Sequence, residues 1–277
     1  VDPAHRPSYK NVIVLGLILD ESGDKMSKSK GNAVEPWEII DKQGADALRW
    51  YLYTAAPTGV ARRFSASLVQ ESLRRFLLTL WNTYSFFVTY AVIDGFRPED
   101  HAPRWKGDVG GPALAEPPAS EIDRWIISEL NGLVAEVTEA FEAYNPTEAG
   151  RRVEEFVDRL SNWYVRRSRR RFWKSENDED KASAYVTLYS CLMTLCRLMA
   201  PMTPFVADAM YVNLAPEGAP DSVHLADWPK TDAALANEDL EAVTRLAMRI
   251  ASLGRAARSK NGIKVRQPLA RVLVQTR

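Results

Sequence analysis

Apolar and polar residues alternate along most of this chain with the spacing of α-helices. From about residue 66 to residue 261, apolar side chains recur three and four positions apart, in segments separated by polar loops and by one long loop rich in proline and glycine at 94–119. The pattern predicts helices that begin near residues 66, 120, 146, 180, 204 and 237, and the third is expected to run to about residue 174. Helices joined mostly by short loops are typical of an antiparallel bundle.

The first 57 residues have a different, mixed pattern. An apolar segment at 12–19 predicts a strand, a polar turn follows at 20–23, and helices are predicted at 36–43 and 45–56. One strand and two helices cannot bury a core of their own, so this part is expected to be the end of a larger α/β unit. The fold class is therefore predicted to be mainly α: an antiparallel helix bundle preceded by a small α/β remnant. A further strand is predicted at 271–275.

A cationic loop links the predicted strand at 12–19 to the helix at 36–43. Residues 24–32 read DKMSKSKGN and place three lysines and two serines within a few positions. Ammonium groups, hydroxyls and backbone N–H groups between a strand and a helix suit a polyphosphate. The alternative for lysines alone is a solvated surface loop, but the complete word KMSKS in this setting favours the phosphate site.

The word KMSKS resembles the second signature of the class I aminoacyl-tRNA synthetases. Within that class, the flanking sequences are similar to those of isoleucyl-tRNA synthetases, and the resemblance covers essentially the whole chain. These flanking sequences are YKNV at 9–12, LILD at 17–20, GADALRWY at 44–51 and LSNWYVRR at 160–167. The chain departs from the family at Leu15, where the family often carries a histidine, so any role of that histidine is absent or reassigned here.

In the family, this loop holds the triphosphate of ATP while isoleucyl-adenylate forms, and ATP is used with Mg²⁺. The resemblance implies that Lys25 and Lys28 are the catalytic residues, with Lys28 as the main phosphate ligand and Lys25 in support. It implies an ATP-binding site made of Lys25, Met26, Ser27, Lys28 and Ser29. Met26 is expected to fill an apolar pocket rather than to touch ATP.

The resemblance also implies a division of the chain into three parts. Residues 1–60 would be the C-terminal edge of the catalytic domain, residues 61–265 a helical anticodon-binding domain, and residues 266–277 the start of a further region. No histidine pair has the His-x-Gly-His spacing and no glycine-rich nucleotide loop is present, so the nucleotide-binding fold and the editing domain are expected upstream. The chain alone is therefore expected to bind no cofactor and neither to activate isoleucine nor to edit.

Arginines and tryptophans on the third predicted helix form the candidate RNA-binding surface. At 100° per residue, four arginines fall on one narrow stripe with two tryptophans beside it. The set is Arg152, Arg159, Arg166 and Arg170 with Trp163 and Trp173. Arginines among large aromatic side chains suit phosphates and unstacked bases, although a solvated helix face has the same composition. The resemblance favours tRNA(Ile), bound near its anticodon stem-loop. Lys264 and Arg266 lie beyond the last predicted helix without a compensating acid, and they are candidates for a second RNA contact or for docking a further C-terminal domain.

Arg167 and Arg171 are expected to lie beside the apolar stripe of the same helix rather than on its basic face. A buried guanidinium is costly unless it is paired. At least one of the two is therefore predicted to pair with a carboxylate of another helix or of residues 1–57.

Composition sets limits on the other function classes. The chain is 46% hydrophobic and 26% charged, as expected for a globular protein, and its 36 basic and 36 acidic residues cancel. The basic residues cluster at 151–174 and 245–277, which creates faces of opposite sign. Cys191 and Cys196 lack metal-ligand spacing and are expected to be buried, so no metal site is predicted. No membrane partner is expected, and a cytoplasmic monomer is expected.

Two alternatives stay open at this stage. The chain is also consistent with a fragment of a valyl-, leucyl- or methionyl-tRNA synthetase. From another class, it is consistent with a non-catalytic RNA-binding helical module in which KMSKS is a relic. Deleting residues 1–57 distinguishes the module, which should keep its fold, from the enzyme fragment, which should aggregate.

Overall fold

The computed structural model describes residues 9–174, 176 and 178–275, with Lys28 described by its backbone alone. Ten α-helices and two short strands lie within these residues, and two π-helical turns interrupt the helical segments. The N-terminal elements are β1 (Ile18–Leu19), α1 (Pro36–Gln43), α2 (Ala45–Thr54) and β2 (Arg62–Arg63). The bundle comprises α3 (Ala66–Ser72), a π turn (Leu73–Leu77), α4 (Leu78–Asp94), α5 (Glu121–Glu142), α6 (Pro146–Arg159), a π turn (Leu160–Val165), α7 (Arg166–Trp173), α8 (Glu179–Met199), α9 (Pro204–Leu214) and α10 (Glu238–Lys260).

The predicted strand at 12–19 is reduced to two residues. Ile18 pairs in parallel with Arg62, and Leu19 with Arg63, and no other strand among the described residues extends this sheet. Gly16 lies so close to the neighbouring backbone that an added Cβ would stand 2.1 Å from the Val60 carbonyl oxygen. The strand predicted at 271–275 is absent, because this backbone has no partner within the described part of the chain.

The N-terminal helices share one hydrophobic core with the bundle. Trp50 of α2 is completely buried and stacks on Phe76 at a centroid distance of 3.7 Å. The Thr147 hydroxyl at the start of α6 contacts the carbonyl oxygens of Tyr53 and Ala56, at 2.7 and 2.9 Å. The first long helical segment contacts both parts of the chain, since α3 packs on α2 and α4 packs on α8, while α2 also packs directly on α6.

The centre of the bundle is α8, which is buried on almost every face. Cys191 and Cys196 are both free and fully buried on it, which confirms the expectation for these residues. The long loop after α4 is attached to this helix by Trp105, whose indole N–H donates to the Ser190 hydroxyl at 2.7 Å.

Among the residues that the structure describes, two helical segments are long and apolar enough to cross a membrane, namely α8 and the continuous stretch Ala66–Asp94. In α8, 89% of the apolar window is buried inside the protein, as in the core helix of a folded domain. The corresponding share is 39% for Ala66–Asp94. The absence of a membrane partner stays a prediction.

The π turns change the direction in which later side chains point. The helix predicted from 146 to about 174 is present, but the π turn Leu160–Val165 divides it into α6 and α7. Hydrogen bonds from residue i to i+5 accommodate an extra residue, so the 100° phase of α6 does not continue into α7. Side chains on the two helices therefore do not form the single stripe that regular periodicity predicts.

Candidate functional site

The loop that contains KMSKS is closed by two residues outside the motif. The Asp20 carboxylate accepts hydrogen bonds from the Asp24 N–H and from Nδ2 of Asn32, both at 2.8 Å. Asn32 in turn accepts from the Ser27 N–H at 2.9 Å. The hydrogen bond from Asn32, followed by that from Asp24, lowers the pKa of Asp20 and keeps it ionised.

Within this loop, the serines organise the backbone. The hydroxyls of Ser27 and Ser29 are 2.6 Å apart, and the Lys30 N–H donates to Ser27 Oγ at 3.3 Å. Lys25 is exposed, and Met26 is half-buried against the hydrophobic core as expected. The side chain of Lys28 lies outside the described atoms, so its assignment as the main phosphate ligand stays a prediction.

Sequence reasoning missed Asp20 and Asn32 as the residues that shape this loop. Both are Asx residues beside a turn, and such side chains commonly bind nearby backbone groups. That signal was present in the sequence. Across the residues that the structure describes, no group of three or more His, Cys, Asp or Glu side chains is placed to hold a metal ion.

Two of the three arginines of α6, Arg152 and Arg159, are engaged in ion pairs. Arg152 Nε lies 2.7 Å from Glu148, one turn earlier on the same helix. Arg159 lies 3.3 Å from Glu129, a carboxylate of α5 that is almost completely buried. Burial raises the pKa of Glu129, and the charge of Arg159 partly offsets that effect. These two guanidinium groups are therefore already neutralised within the bundle.

Two of the five arginines of α7, Arg166 and Arg170, are in a different environment. Arg166 and Arg170 are exposed, and no carboxylate of the described residues lies within 4.0 Å of their guanidinium nitrogens. Trp173 follows on the same helix face, at the i+7 position from Arg166, with 54% of its surface exposed. The structure thus brings together two unpaired cations and an exposed indole, apart from the α6 arginines.

Trp163 is not equivalent to Trp173. It is half-buried in the π turn, and the Arg167 guanidinium lies 5.0 Å from its ring centroid in a cation–π contact. One side of this indole is therefore already covered by a neighbouring side chain.

Arg171 confirms the expectation of a buried arginine–carboxylate pair. Its two terminal nitrogens each lie 2.7 Å from an oxygen of Asp123 on α5, and Asp123 is fully buried. Burial alone would lower the pKa of Arg171, but its hydrogen bonds and charge interaction with Asp123 raise that pKa overall. Sequence reasoning did not identify Asp123 as the partner. The position of this acidic residue beside the apolar stripe of α5 was the feature that could have indicated a buried carboxylate.

The second predicted RNA contact lies in an exposed basic tail. Lys264 and Arg266 follow α10 and are both exposed. Arg258 holds this segment against the helix end, because its Nη1 donates to the carbonyl oxygens of Lys264 and Gln267 at 2.9 and 2.7 Å. From residue 242 onward the sequence contains lysine and arginine but no aspartate or glutamate.

Two family profiles match the chain. The profile described as "Anticodon-binding domain of tRNA ligase" matches residues 123–274. The profile described as "tRNA synthetases class I (I, L, M and V)" matches residues 3–65. Together they confirm the resemblance that the sequence motifs carried.

Curated relatives of high identity are isoleucine–tRNA ligases. The protein from Dehalococcoides mccartyi is 59% identical over 273 residues, which are 98% of this chain and 26% of that protein. The protein from Thermus thermophilus is 52% identical over 272 residues, 96% of this chain and 25% of the relative. The chain thus spans about a quarter of the length of the curated relatives it matches.

Solved structures share the fold at low sequence identity. One is the ternary complex of the Agrobacterium radiobacter K84 LeuRS with tRNA and LeuAMS, with a TM-score of 0.58, 21% identity, and coverage of 80% of this chain and 24% of that one. Another is the Mycobacterium tuberculosis methionyl-tRNA synthetase in complex with methionyl-adenylate, with a TM-score of 0.58, 22% identity, and coverage of 77% and 41%. These similarities confirm the predicted fold class.

Proposed function

The chain belongs to the family of anticodon-binding domains of tRNA ligases, and from this premise we propose that it is part of an isoleucine–tRNA ligase. Isoleucine is favoured over valine, leucine and methionine by the 59% and 52% identity to isoleucine–tRNA ligases. In this proposal, residues 1–60 contribute to the ATP site, residues 61–265 bind tRNA(Ile), and residues 266–277 begin a further region.

The loop from Asp24 to Asn32 would act on the phosphates of ATP. Amino-acid activation joins the isoleucine carboxylate to the α-phosphate, and negative charge develops as pyrophosphate leaves with its Mg²⁺. Positioned cations are the main source of rate enhancement in such a reaction. Lys28 and Lys25 would supply these cations, while the Asp20–Asn32 hydrogen bonds hold the loop in a closed form before ATP arrives.

The observation that carries the RNA-binding proposal is the exposed face of α7. This face carries Arg166, Arg170 and Trp173 at positions i, i+4 and i+7. Neither arginine is paired with a carboxylate of the described residues. Guanidinium groups bind RNA phosphates, and an exposed indole stacks on an unpaired base of a loop. Lys264 and Arg266 on the basic tail are a second contact in this proposal.

Salt-dependent tRNA binding tests the arginines. The chain is titrated with tRNA(Ile) at several salt concentrations. Arg166→Ala and Arg170→Ala are each expected to weaken binding to all tRNAs about equally. Each should reduce the slope of log affinity against log salt by about 0.7 to 0.9, because each removes a phosphate contact. Arg152→Ala is the matched control, and its slope should stay at the wild-type value because Glu148 already neutralises Arg152.

The tryptophan is tested in the same titration. Trp173→Ala is expected to weaken binding by about 1–3 kcal/mol with little change in slope, as for the loss of one stacked base. Trp163→Ala should have a smaller effect, since Arg167 covers that ring. If all three variants, Arg166→Ala, Arg170→Ala and Trp173→Ala, keep the wild-type affinity and slope, α7 does not contact RNA. Lys264 and Arg266 would then be the proposed contact.

Catalysis is tested separately. The 277-residue chain alone is expected to show no isoleucine-dependent pyrophosphate exchange, because KMSKS is one part of an active site. Exchange by the purified chain would show that this expectation is wrong. The isoleucine assignment predicts that tRNA(Ile) competes best for binding to the chain. Equal competition by tRNAs for valine, leucine or methionine would count against that assignment.

A further inference from the structure

Beneath α7 lies a buried polar network centred on Asp123. This carboxylate is fully buried in the first turn of α5 and receives hydrogen bonds from three segments. Arg171 of α7 donates twice at 2.7 Å, Tyr164 of the π turn donates at 2.8 Å, and Ser183 of α8 donates at 2.8 Å. Asp123 therefore joins α5, the π turn, α7 and α8 at one point.

The sequence of α7 explains why such a tether is needed. The helix reads RRSRRRFW, with five arginines in eight residues, and like charges three and four positions apart destabilise a helix. Its buried residues are Ser168 and Phe172. Arg171 is the arginine of this helix whose charge is neutralised by a buried carboxylate, and it lies two positions before Trp173.

Arg171 also fixes the chain beyond Trp173. Its Nη2 donates to the Asp180 carbonyl oxygen and its Nε lies 2.8 Å from the Asp180 carboxylate. Lys181, itself almost completely buried, donates to the Lys174 carbonyl oxygen at 2.8 Å. The last turn of α7 and the first turn of α8 are therefore tied together on both sides of Trp173.

We propose that Asp123 is a positioning residue for RNA binding, which acts through Arg171 to hold Arg170 and Trp173 where an RNA loop can contact them. The inference rests on the RNA-binding function proposed for α7. Desolvation makes a buried ion pair a weak source of net stability compared with apolar packing. What this pair provides is a fixed geometry, because the planar guanidinium fork binds both carboxylate oxygens in one orientation.

The direction in which Asp123→Asn changes RNA affinity distinguishes a positioning role from a purely electrostatic one. Asp123→Asn removes a negative charge beneath a cationic surface, so an electrostatic role alone would make RNA binding tighter. A role in fold stability alone would lower the melting temperature and leave the affinity of the folded protein unchanged. Positioning predicts weaker binding by the folded variant, by about fivefold to tenfold or more, as when a stacked base is lost.

The experiment titrates the 277-residue chain with an RNA hairpin that has the sequence of the tRNA(Ile) anticodon stem-loop, well below the melting temperature of each variant. The matched control is Glu121→Gln, which removes the same charge from an exposed position in the first turn of α5. Glu121→Gln should bind as tightly as wild type or slightly more tightly. Circular dichroism confirms that each variant is folded at the titration temperature.

A second variant keeps the net charge unchanged. Arg171→Lys retains the cation but loses the two-point contact with Asp123, and it should also bind RNA more weakly. If Asp123→Asn does not fold, the RNA affinity of Arg171→Lys tests the positioning role instead. In a double-mutant cycle, Asp123→Asn should cause a smaller loss of affinity in a Trp173→Ala background than in wild type, because the Trp173 contact is already absent and the positioning of Arg170 is what remains to be lost.

The outcomes separate this inference from the proposed function. A wild-type chain that does not bind the hairpin contradicts both. Wild-type binding together with unchanged or tighter binding by folded Asp123→Asn and Arg171→Lys overturns the positioning role alone. Additive losses in the cycle with Trp173→Ala overturn it as well.

Discussion

At the scale of single residues, the phosphate loop depends on side chains outside its recognisable motif. KMSKS contributes the cations and hydroxyls, but Asp20 and Asn32 determine the path of the backbone between them. The motif was recognisable from sequence because it is a contiguous word. Asp20 and Asn32 each carried a local signal as Asx residues beside a turn, but their contact with each other did not, because they lie twelve positions apart and meet only when the loop closes.

Asn32→Ala is expected to open this loop. The variant loses the hydrogen bonds to Asp20 and Ser27, so the backbone from Lys25 to Lys30 should become accessible to proteases. Limited trypsin digestion followed by mass spectrometry should show faster cleavage after the lysines of the loop than in wild type. Asn162→Ala is the matched control, since the Asn162 amide donates to Asp158, one turn earlier in the same helical segment and far from the loop in sequence. Equal cleavage rates in Asn32→Ala and wild type would contradict this role.

The ionisation of Asp20 offers an independent measurement of the same contact. Its pKa is lowered chiefly by the hydrogen bond from Asn32. Asn32→Ala should therefore raise that pKa toward the ordinary value of an aspartate. Because the folded-state pKa is lowered, the contribution of Asp20 to loop closure is present near neutral pH and is lost as the pH falls through that pKa. NMR titration of the Asp20 carboxyl group checks the direction of the shift.

At the scale of elements, close approach between helices determines which substitutions are tolerated. Gly150 of α6 faces α2, and an added Cβ would lie 2.5 Å from the Thr54 methyl group. Gly132 of α5 has no atom within 4 Å of the same position. Both residues are helical glycines, so sequence alone gives them the same preference for replacement by alanine.

The two glycines are expected to respond in opposite directions. Gly132→Ala should raise the free energy of unfolding by about 0.5–1 kcal/mol, because alanine loses less backbone entropy in a helix. Gly150→Ala should lower it by about 1–3 kcal/mol, since the methyl group forces α2 and α6 apart. Urea denaturation of the two variants measures both values. Equal stabilisation by both changes would show that α2 can move away from α6 without cost.

At the scale of the whole molecule, the α/β part and the bundle form one packed unit around a common core. Trp50 stacks on Phe76, and Arg49 donates to the carbonyl oxygens of Pro201 and Met202 at the end of α8. Asp46 accepts from the Val206 N–H at the start of α9, at 2.6 Å. Helix α2 therefore contributes to bundle stability, while the functional division of the chain at residue 60 stays a proposal.

Deletion of residues 1–57 is expected to expose this core. Val69 and Phe76 would lose their cover, so the shortened chain should aggregate or melt at a clearly lower temperature. Deletion of residues 268–277 is the control, because the described residues of that tail are exposed. Thermal unfolding combined with size-exclusion chromatography provides the measurement. A residue 58–277 chain that is monomeric, unfolds at the wild-type temperature and retains RNA affinity would instead support a free-standing RNA-binding module.

The sequence by itself determined the features whose causes are local. Helix α1 was predicted at its observed bounds because Pro36 marks its start, and the starts predicted near 146 and 237 coincide with the N-caps Asn145 and Asn237 of α6 and α10. Motif words likewise determined the family. Only the tertiary structure decided which arginines are paired with carboxylates and which are exposed. A π turn shifts α7 out of phase with α6, and Glu129 and Asp123, both from α5, neutralise Arg159 and Arg171. The physical reason is that ion pairs and burial depend on side chains distant in sequence, which periodicity along one helix does not contain.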